Sequence, residues 1–292
     1  LMCCILISEI IFAPIDLDGE LKQRLTWPYG DKVPGGYLAK FSLPLFCVLV
    51  AIAVRKSNKV AIISGIMARL SILVSGLTGE RGNFIIRVFS GILAGLVWKP
   101  KFKNYLILIC IKVVALLLVA ISKPDLTYRF SKKFLEQIPI VNTTETNAYW
   151  GAWRGGIQQG LLTPLKGIGP SGTRNTCVYL DTNFPKWLPG SNYCGNHPHN
   201  FYIQLFAEVG IIGLILGFTM FITITITCFK ARIKNLNCPM ASTAFIVPFA
   251  LFFPLQQFGS FYGQWGNLFT WFAIALAISQ YQGWKKIKNN PE

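Results

Sequence analysis

Residues 192–213 read NYCGNHPHNFYIQLFAEVGIIG and hold both histidines of the chain, His197 and His199, on either side of a proline. An apolar run begins two residues after the second histidine. Proline is tolerated in the first turn of a helix, where its missing N–H would be unpaired anyway. Asn200 is a natural cap for a helix that begins at Phe201. HPHN therefore reads as a helix start with a rigid backbone around His199. From there Asn200, Gln204 and Glu208 recur every four residues and form a polar stripe on one face. Gly210, Gly213 and Gly217 fall on the other face, suited to close helix packing. Polar groups on a spanning helix are costly and must face protein or water, so the stripe is expected to line an internal cavity.

The rest of the chain supports the idea of a span. Its 292 residues are 52% hydrophobic and 14% charged, where a soluble domain carries about 25% charged residues. Apolar runs cover Leu1–Pro14, Leu38–Val54, Val60–Leu77, Asn83–Trp98, Tyr105–Ser122, Phe201–Phe229, Ala241–Phe258 and Leu268–Tyr281. Most approach the roughly 20 residues that a crossing helix needs. The expected fold is an all-α, polytopic transmembrane bundle of about eight spans with a large outer loop containing short helices. The chain starts inside an apolar run without an initial Met, a basic n-region or a small-residue cleavage site. It is therefore expected to be truncated at its N-terminus rather than to begin with a signal peptide.

The net charge of +16 invites a nucleic-acid reading, which its distribution excludes. Arg55, Lys56 and Lys59; Lys99, Lys101 and Lys103; Lys230, Arg232 and Lys234; and Lys285, Lys286 and Lys288 occupy four short loops that fall on one side if every run crosses. That is the positive-inside pattern, and it makes those loops cytoplasmic. The other side receives segment 15–37, the turn at 78–82, the loop 123–200 and the turn 259–267. The chain thus divides into N-terminal membrane helices over 1–122, an outer loop over 123–200, and C-terminal membrane helices over 201–292.

The outer loop is too long for an unstructured connection inside a compact domain. Asp125–Ile138 has amphipathic spacing, and a second helix is expected over Asn147–Leu162, before the Gly- and Pro-rich bend at Pro164–Gly172. Cys3, Cys4, Cys47, Cys110 and Cys228 lie in apolar runs and read as small hydrophobic fillers, with Cys238 beside one. Only Cys177 and Cys194 fall in the outer loop, where an oxidising compartment would permit a disulfide closing 16 intervening residues; the alternative is two free thiols. No metal-ligand spacing is present.

Two histidines at an interface can be simple amphipathic anchors. A second polar point on the same side favours chemistry instead. LTGERGN, residues 77–83, separates two apolar runs and places Glu80 and Arg81 between glycines. Arg87 lies one or two turns from the same surface, and Arg154 and Arg174 add cations in the loop. Guanidinium groups bind phosphate oxygens through paired, charge-assisted hydrogen bonds. A neutral imidazole accepts a proton from a hydroxyl. Together they suit transfer of a group from a lipid diphosphate to an alcohol. Arg69 and Lys112 fall mid-span, where pairing with an acid such as Glu9 or Glu208 is expected, the alternative being that they line the cavity.

LTGER, then GIGPSGTRNTC, then CGNHPHNFYIQLFAEVGIIG, in this order on such a chain, resembles the O-antigen ligase and O-antigen polymerase superfamily. The resemblance implies a metal-independent, inverting glycosyltransferase of the bacterial inner membrane, multi-pass, with its active site facing the periplasm and no cofactor. Its donor would be a glycan on undecaprenyl diphosphate. Its acceptor would be a sugar hydroxyl of the lipid A core for a ligase, or a growing lipid-linked glycan for a polymerase. His199 and Arg81 match the family's essential histidine and turn arginine; Arg154 and Arg174 match further loop arginines. Arg87, His197, Asn200 and Glu80 are expected in supporting, substrate-binding roles. Glu80 or Glu208 would orient the histidine or replace it as base. A transporter or scaffold is the alternative of a different class. Broken mid-membrane helices and an internal repeat would favour a transporter, and no repeat is present.

Overall fold

The computed structural model describes residues 34–55, 59–77, 81–97, 135, 147–173, 197–234, 238–254 and 259–289, and every regular element among them is helical. The expected runs Leu1–Pro14 and Tyr105–Ser122, the amphipathic stretch Asp125–Ile138, and Lys112 and Glu9 lie outside the described residues. The chain forms two compact units, one over 1–130, 224–251 and 269–292, the other over 131–223 and 252–268.

In the first unit α1 (Pro34–Arg55), α2 (Lys59–Leu77) and α3 (Arg81–Val97) pack on one another. Their bounds fall close to the apolar runs that announced them. In α2 the usual soluble pattern is reversed: Val60, Ile62, Ile63, Ile66, Met67 and Leu70 are exposed, whereas Ala61, Ser64, Gly65 and Ala68 are buried. Large apolar side chains outward and small ones inward is what a lipid-facing helix needs, since small residues let helix backbones approach closely. By length and composition alone, Lys59–Gly76 and Phe201–Ile233 are the two described segments long and apolar enough to cross a membrane.

Arg87, expected near the outer surface, is instead fully buried. Its guanidinium donates to Ser71 of α2 and Ser42 of α1, and lies 5.3 Å from the Phe46 ring of α1. One cation from α3 thus ties three helices together. Hydrogen bonds from a charged donor contribute about 1.5–3 kcal/mol each. Arg87→Ala is therefore expected to lower stability by about 3 kcal/mol, read as an earlier thermal unfolding midpoint in detergent.

The expected span over Ala241–Phe258 is replaced by two short helices, α6 (Pro239–Thr243) and α7 (Ile246–Leu251). Pro248 has no N–H to donate to Ala244, so a continuous helix loses a rung there. Ala241, Ala244, Ile246, Val247, Ala250 and Leu251 are all buried. Much of this stretch packs on protein, while Phe249 and Phe253 stay exposed. The last helix, α8 (Gln264–Asn289), covers the final expected run, with Phe269 and Phe272 packed on Phe41 of α1.

The largest departure concerns the opening stretch. The helix α5 (Phe201–Lys234) is not one rod, because Gly210 holds φ 73° and ψ −170°. A straight helix would set residues 201 and 221 about 30 Å apart, yet the rings of Phe201 and Phe221 are 4.7 Å apart. A Cβ added at Gly217 would lie 2.4 Å from Leu205, and one added at Gly213 would lie 2.4 Å from Val209. The pairs 201/221, 205/217 and 209/213 converge on Gly210: residues 201–209 double back on 211–223 as a helical hairpin. The small residues allow close packing, as expected, but between the two arms of one element. The first arm is only about 13 Å long and cannot cross a bilayer.

Candidate active site

The second unit is organised by that hairpin and by α4 (Ala148–Leu162). The helix begins where expected: Asn147 accepts from the backbone N–H groups of Tyr149 (3.1 Å) and Trp150 (3.3 Å). It ends at Thr163, since the residue before a proline is driven out of helical geometry. The glycines of WRGGIQQG make the contact with α5. A Cβ at Gly156 would lie 2.6 Å from Ile203 and 2.7 Å from Pro198; one at Gly160 would lie 2.5 Å from Phe206. The order of these contacts shows that α4 and the first arm of α5 run in the same direction.

Residues 164–169 then wrap the apex of the hairpin. Ile168 N–H donates to Ala207 O (2.9 Å), Gly169 N–H to Glu208 O (3.0 Å), and Ile211 N–H to Pro164 O (2.8 Å). The break at Gly210 strands backbone groups that a helix would pair, and the bend supplies their partners.

The polar stripe is fully used for fastening. Asn200 caps the first arm, accepting from Tyr202 N–H (3.0 Å) and Ile203 N–H (3.2 Å), and donates to Pro254 O (2.7 Å). Gln204 accepts from Phe261 N–H (2.8 Å) and donates to Ser260 Oγ (3.3 Å). Glu208 accepts from Thr173 Oγ1 (2.6 Å) and Ser171 N–H (3.1 Å). All three are buried. The cavity expected along this stripe gives way to struts that pin two flanking loops to the arm. Removing the carboxylate would leave two donors without their acceptor, at about 1–3 kcal/mol each. Glu208→Ala is expected to destabilise the unit by about 3 kcal/mol and to speed amide exchange at Ser171. Glu208→Gln keeps the shape and one acceptor, and should lose less than half of that.

At the start of the first arm stand His197 and His199, their ring centroids 4.2 Å apart, with Tyr149 meeting His199 edge-on at 5.5 Å. Pro198 between them is buried against α4. His199 has φ 54°, in the left-handed region that costs a non-glycine residue about 1–3 kcal/mol. Strain of this kind, held in place by a buried proline and a capping asparagine, fixes the imidazole rather than letting it wander. The ring is partly buried, and burial pushes its pKa below the usual 6.5, so the neutral form prevails at pH 7. His199 also immediately precedes the cap of one helix and touches the second residue of another. The first-turn N–H groups of the α5 arm, which Asn200 caps, therefore begin directly after His199.

A family model described as O-antigen ligase matches residues 66–218, more than half of the chain. The chain belongs to the O-antigen ligase family. No curated protein matches it. The O-antigen ligase match runs from α2 through α3 and α4 into the second arm of α5, and so includes the histidine pair, the hairpin apex and the bend that clamps it. It makes the chain a member of a family of polytopic membrane proteins that perform lipid-linked glycan transfer.

Within this O-antigen ligase framework the sequence-named residues divide. His197 and His199 are adjacent, and Asn200 serves as their helix cap. Arg81 is the first residue of α3. Arg154 sits on α4, two residues from Gly156, which places it on a flank roughly opposite the α5 contact. Glu80, Arg174, Cys177 and Cys194 lie outside the described residues. Among the described residues, no three His, Cys, Asp or Glu side chains gather as a metal site would require. Tyr149 is the residue that sequence reasoning misses. Its signal is the spacing of the cap Asn147 and the glycines 156 and 160, which defines the face of α4 that turns to the histidines.

Proposed function

We propose that this chain is a metal-independent, inverting glycosyltransferase that moves a glycan from undecaprenyl diphosphate to a sugar hydroxyl, as an O-antigen ligase acting on lipid A core. The observation that carries this reading is the strained, partly buried His199 at the start of the first arm of α5, its ring against those of His197 and Tyr149. The acceptor hydroxyl gives its proton to the neutral imidazole as its oxygen attacks the anomeric carbon. The bond from that carbon to the diphosphate breaks, and its electron pair leaves with the diphosphate oxygen. Arg81, with Arg154 and Arg174, holds the departing charge; one such preorganised donor is worth on the order of a hundredfold in rate. Glu80 and His197 support the cations and the base. A single displacement inverts the anomeric centre. The clusters of Lys and Arg on the opposite side favour the periplasmic face of the inner membrane for this chemistry.

The hairpin bears on the transport alternative. A broken helix in a transporter offers its free carbonyls to an ion. Here Ala207 O and Glu208 O are engaged by the backbone of 168–169, which favours a structural break. Purified protein reconstituted with a lipid-linked glycan and lipid A core tests the reading. Glycan joined to the core is the expected product. Longer lipid-linked chains would make the enzyme a polymerase, and no glycosidic product under either condition overturns the proposal.

A further inference from the structure

Helix α4 carries two adjacent glutamines that are equally buried, Gln158 at 3% and Gln159 at 1% exposure. Their NH2 groups are treated differently, although Gln159 Oε1 is itself buried without a partner. Gln159 Nε2 donates to Thr173 O at 3.3 Å, which fastens α4 to the bend beside Glu208. Gln158 Nε2 is buried with no hydrogen-bond partner. Four residues before it, on the same flank of the helix, Arg154 buries Nε and Nη2 without a partner either. Those two atoms form one edge of the guanidinium, the edge whose N–H bonds run parallel and fit two oxygens of one anion.

An unpaired buried donor is costly, and native proteins rarely keep one without a use. Three on one flank, all N–H and none an acceptor, describe a site for a group rich in acceptor oxygens. A carboxylate offers two oxygens in one plane and would saturate the arginine edge alone. A phosphoryl group offers a further oxygen out of that plane, which a donor one helical turn away can reach. We infer that Gln158 is a substrate-binding residue that completes, with Arg154, a three-donor seat for a phosphoryl group of the diphosphate. The inference rests on the proposed function and adds to it a residue and a ligand geometry.

The test is direct binding of geranyl diphosphate, with inorganic pyrophosphate as the tail-free comparison, to the full chain in detergent. Wild type is expected to bind both. Gln158→Met, nearly the same shape without the donor, should bind at least about tenfold more weakly. Ligand-free Gln158→Met should also unfold at a higher temperature than wild type, because it removes an unpaired buried polar group. A merely structural glutamine would give the opposite shift in stability and no change in affinity. Gln158→Glu keeps the shape, substitutes an acceptor, and should also weaken binding; it stands in if the Met variant does not fold. In a double-mutant cycle, Arg154→Met and Gln158→Met should be non-additive, as expected for two residues on one ligand. Unchanged affinity in both Gln158 variants overturns the inference while leaving the proposed function intact. Failure of wild type to bind either probe overturns the diphosphate reading and this inference together.

Discussion

His199→Ala, in protein shown by its unfolding curve to be folded, is expected to lower glycan transfer by a hundredfold or more. General-base contributions are typically about 10²–10⁴-fold, and no second imidazole can take over without moving: His197 stands 4.2 Å away, centroid to centroid, on the far side of a buried proline. The pH profile sharpens the test. The base must be neutral, so transfer falls as pH drops through the folded pKa, which burial places below 6.5. The wild-type rate should be level at pH 7 and decline only on the acid side of an ordinary histidine titration. The His199→Ala residual rate should lack that limb. A wild-type limb centred above 6.5, or an Ala variant that retains it, would assign the base elsewhere. The same sign governs stability: the unfolded chain takes up the proton first, so protonation below 6.5 favours unfolding. The assay should therefore be kept within the pH range where the protein stays folded.

Gly210→Ala is expected to have a large structural effect. Its φ of 73° and ψ of −170° form a combination open essentially to glycine alone. The added Cβ would also meet Leu165 C and O at 2.4 Å, main-chain atoms with nowhere to swing. Gly169 is the matched control: its φ is 93°, but a Cβ there meets nothing within 4 Å. Gly169→Ala should cost about 1–2 kcal/mol, from the dihedral alone. Gly210→Ala should exceed it by several kcal/mol, and should release the 164–173 bend to rapid hydrogen exchange as the first arm of α5 detaches. Equal losses at the two glycines would mean that the hairpin is not the native form of residues 201–223.

That hairpin is not legible in the sequence, for a definite reason. Hydropathy continues unbroken from Phe201 to Phe229, and glycine is common in membrane helices, so nothing in composition marks a reversal at Gly210. Period-four spacing correctly puts Asn200, Gln204 and Glu208 on one face, but spacing cannot say what covers a face. Backbone groups from 171, 254 and 261 cover it, and only the folded chain brings them there. Over 241–251 hydropathy misleads by the same route, because it does not mark the break between the two short helices there. The legible features have local causes: the apolar runs of α1 to α3, the cap at Asn200, the helix expected over 147–162 with its end before Pro164, and the histidine pair. Arg87 shows where local reading ends, since distance from a loop does not reveal the serines waiting on two other helices.

The clasp around the hairpin apex has an evolutionary corollary. Every hydrogen bond that residues 164, 168 and 169 make to the break runs between main-chain atoms. Side chains at Leu165 and Lys166 point outward and are exposed, so their identity can drift at little cost. The number of residues cannot. Inserting or deleting a single residue between Thr163 and Gly169 would shift each N–H out of register with its carbonyl, so relatives sharing this architecture should vary freely in spelling there while keeping an invariant length.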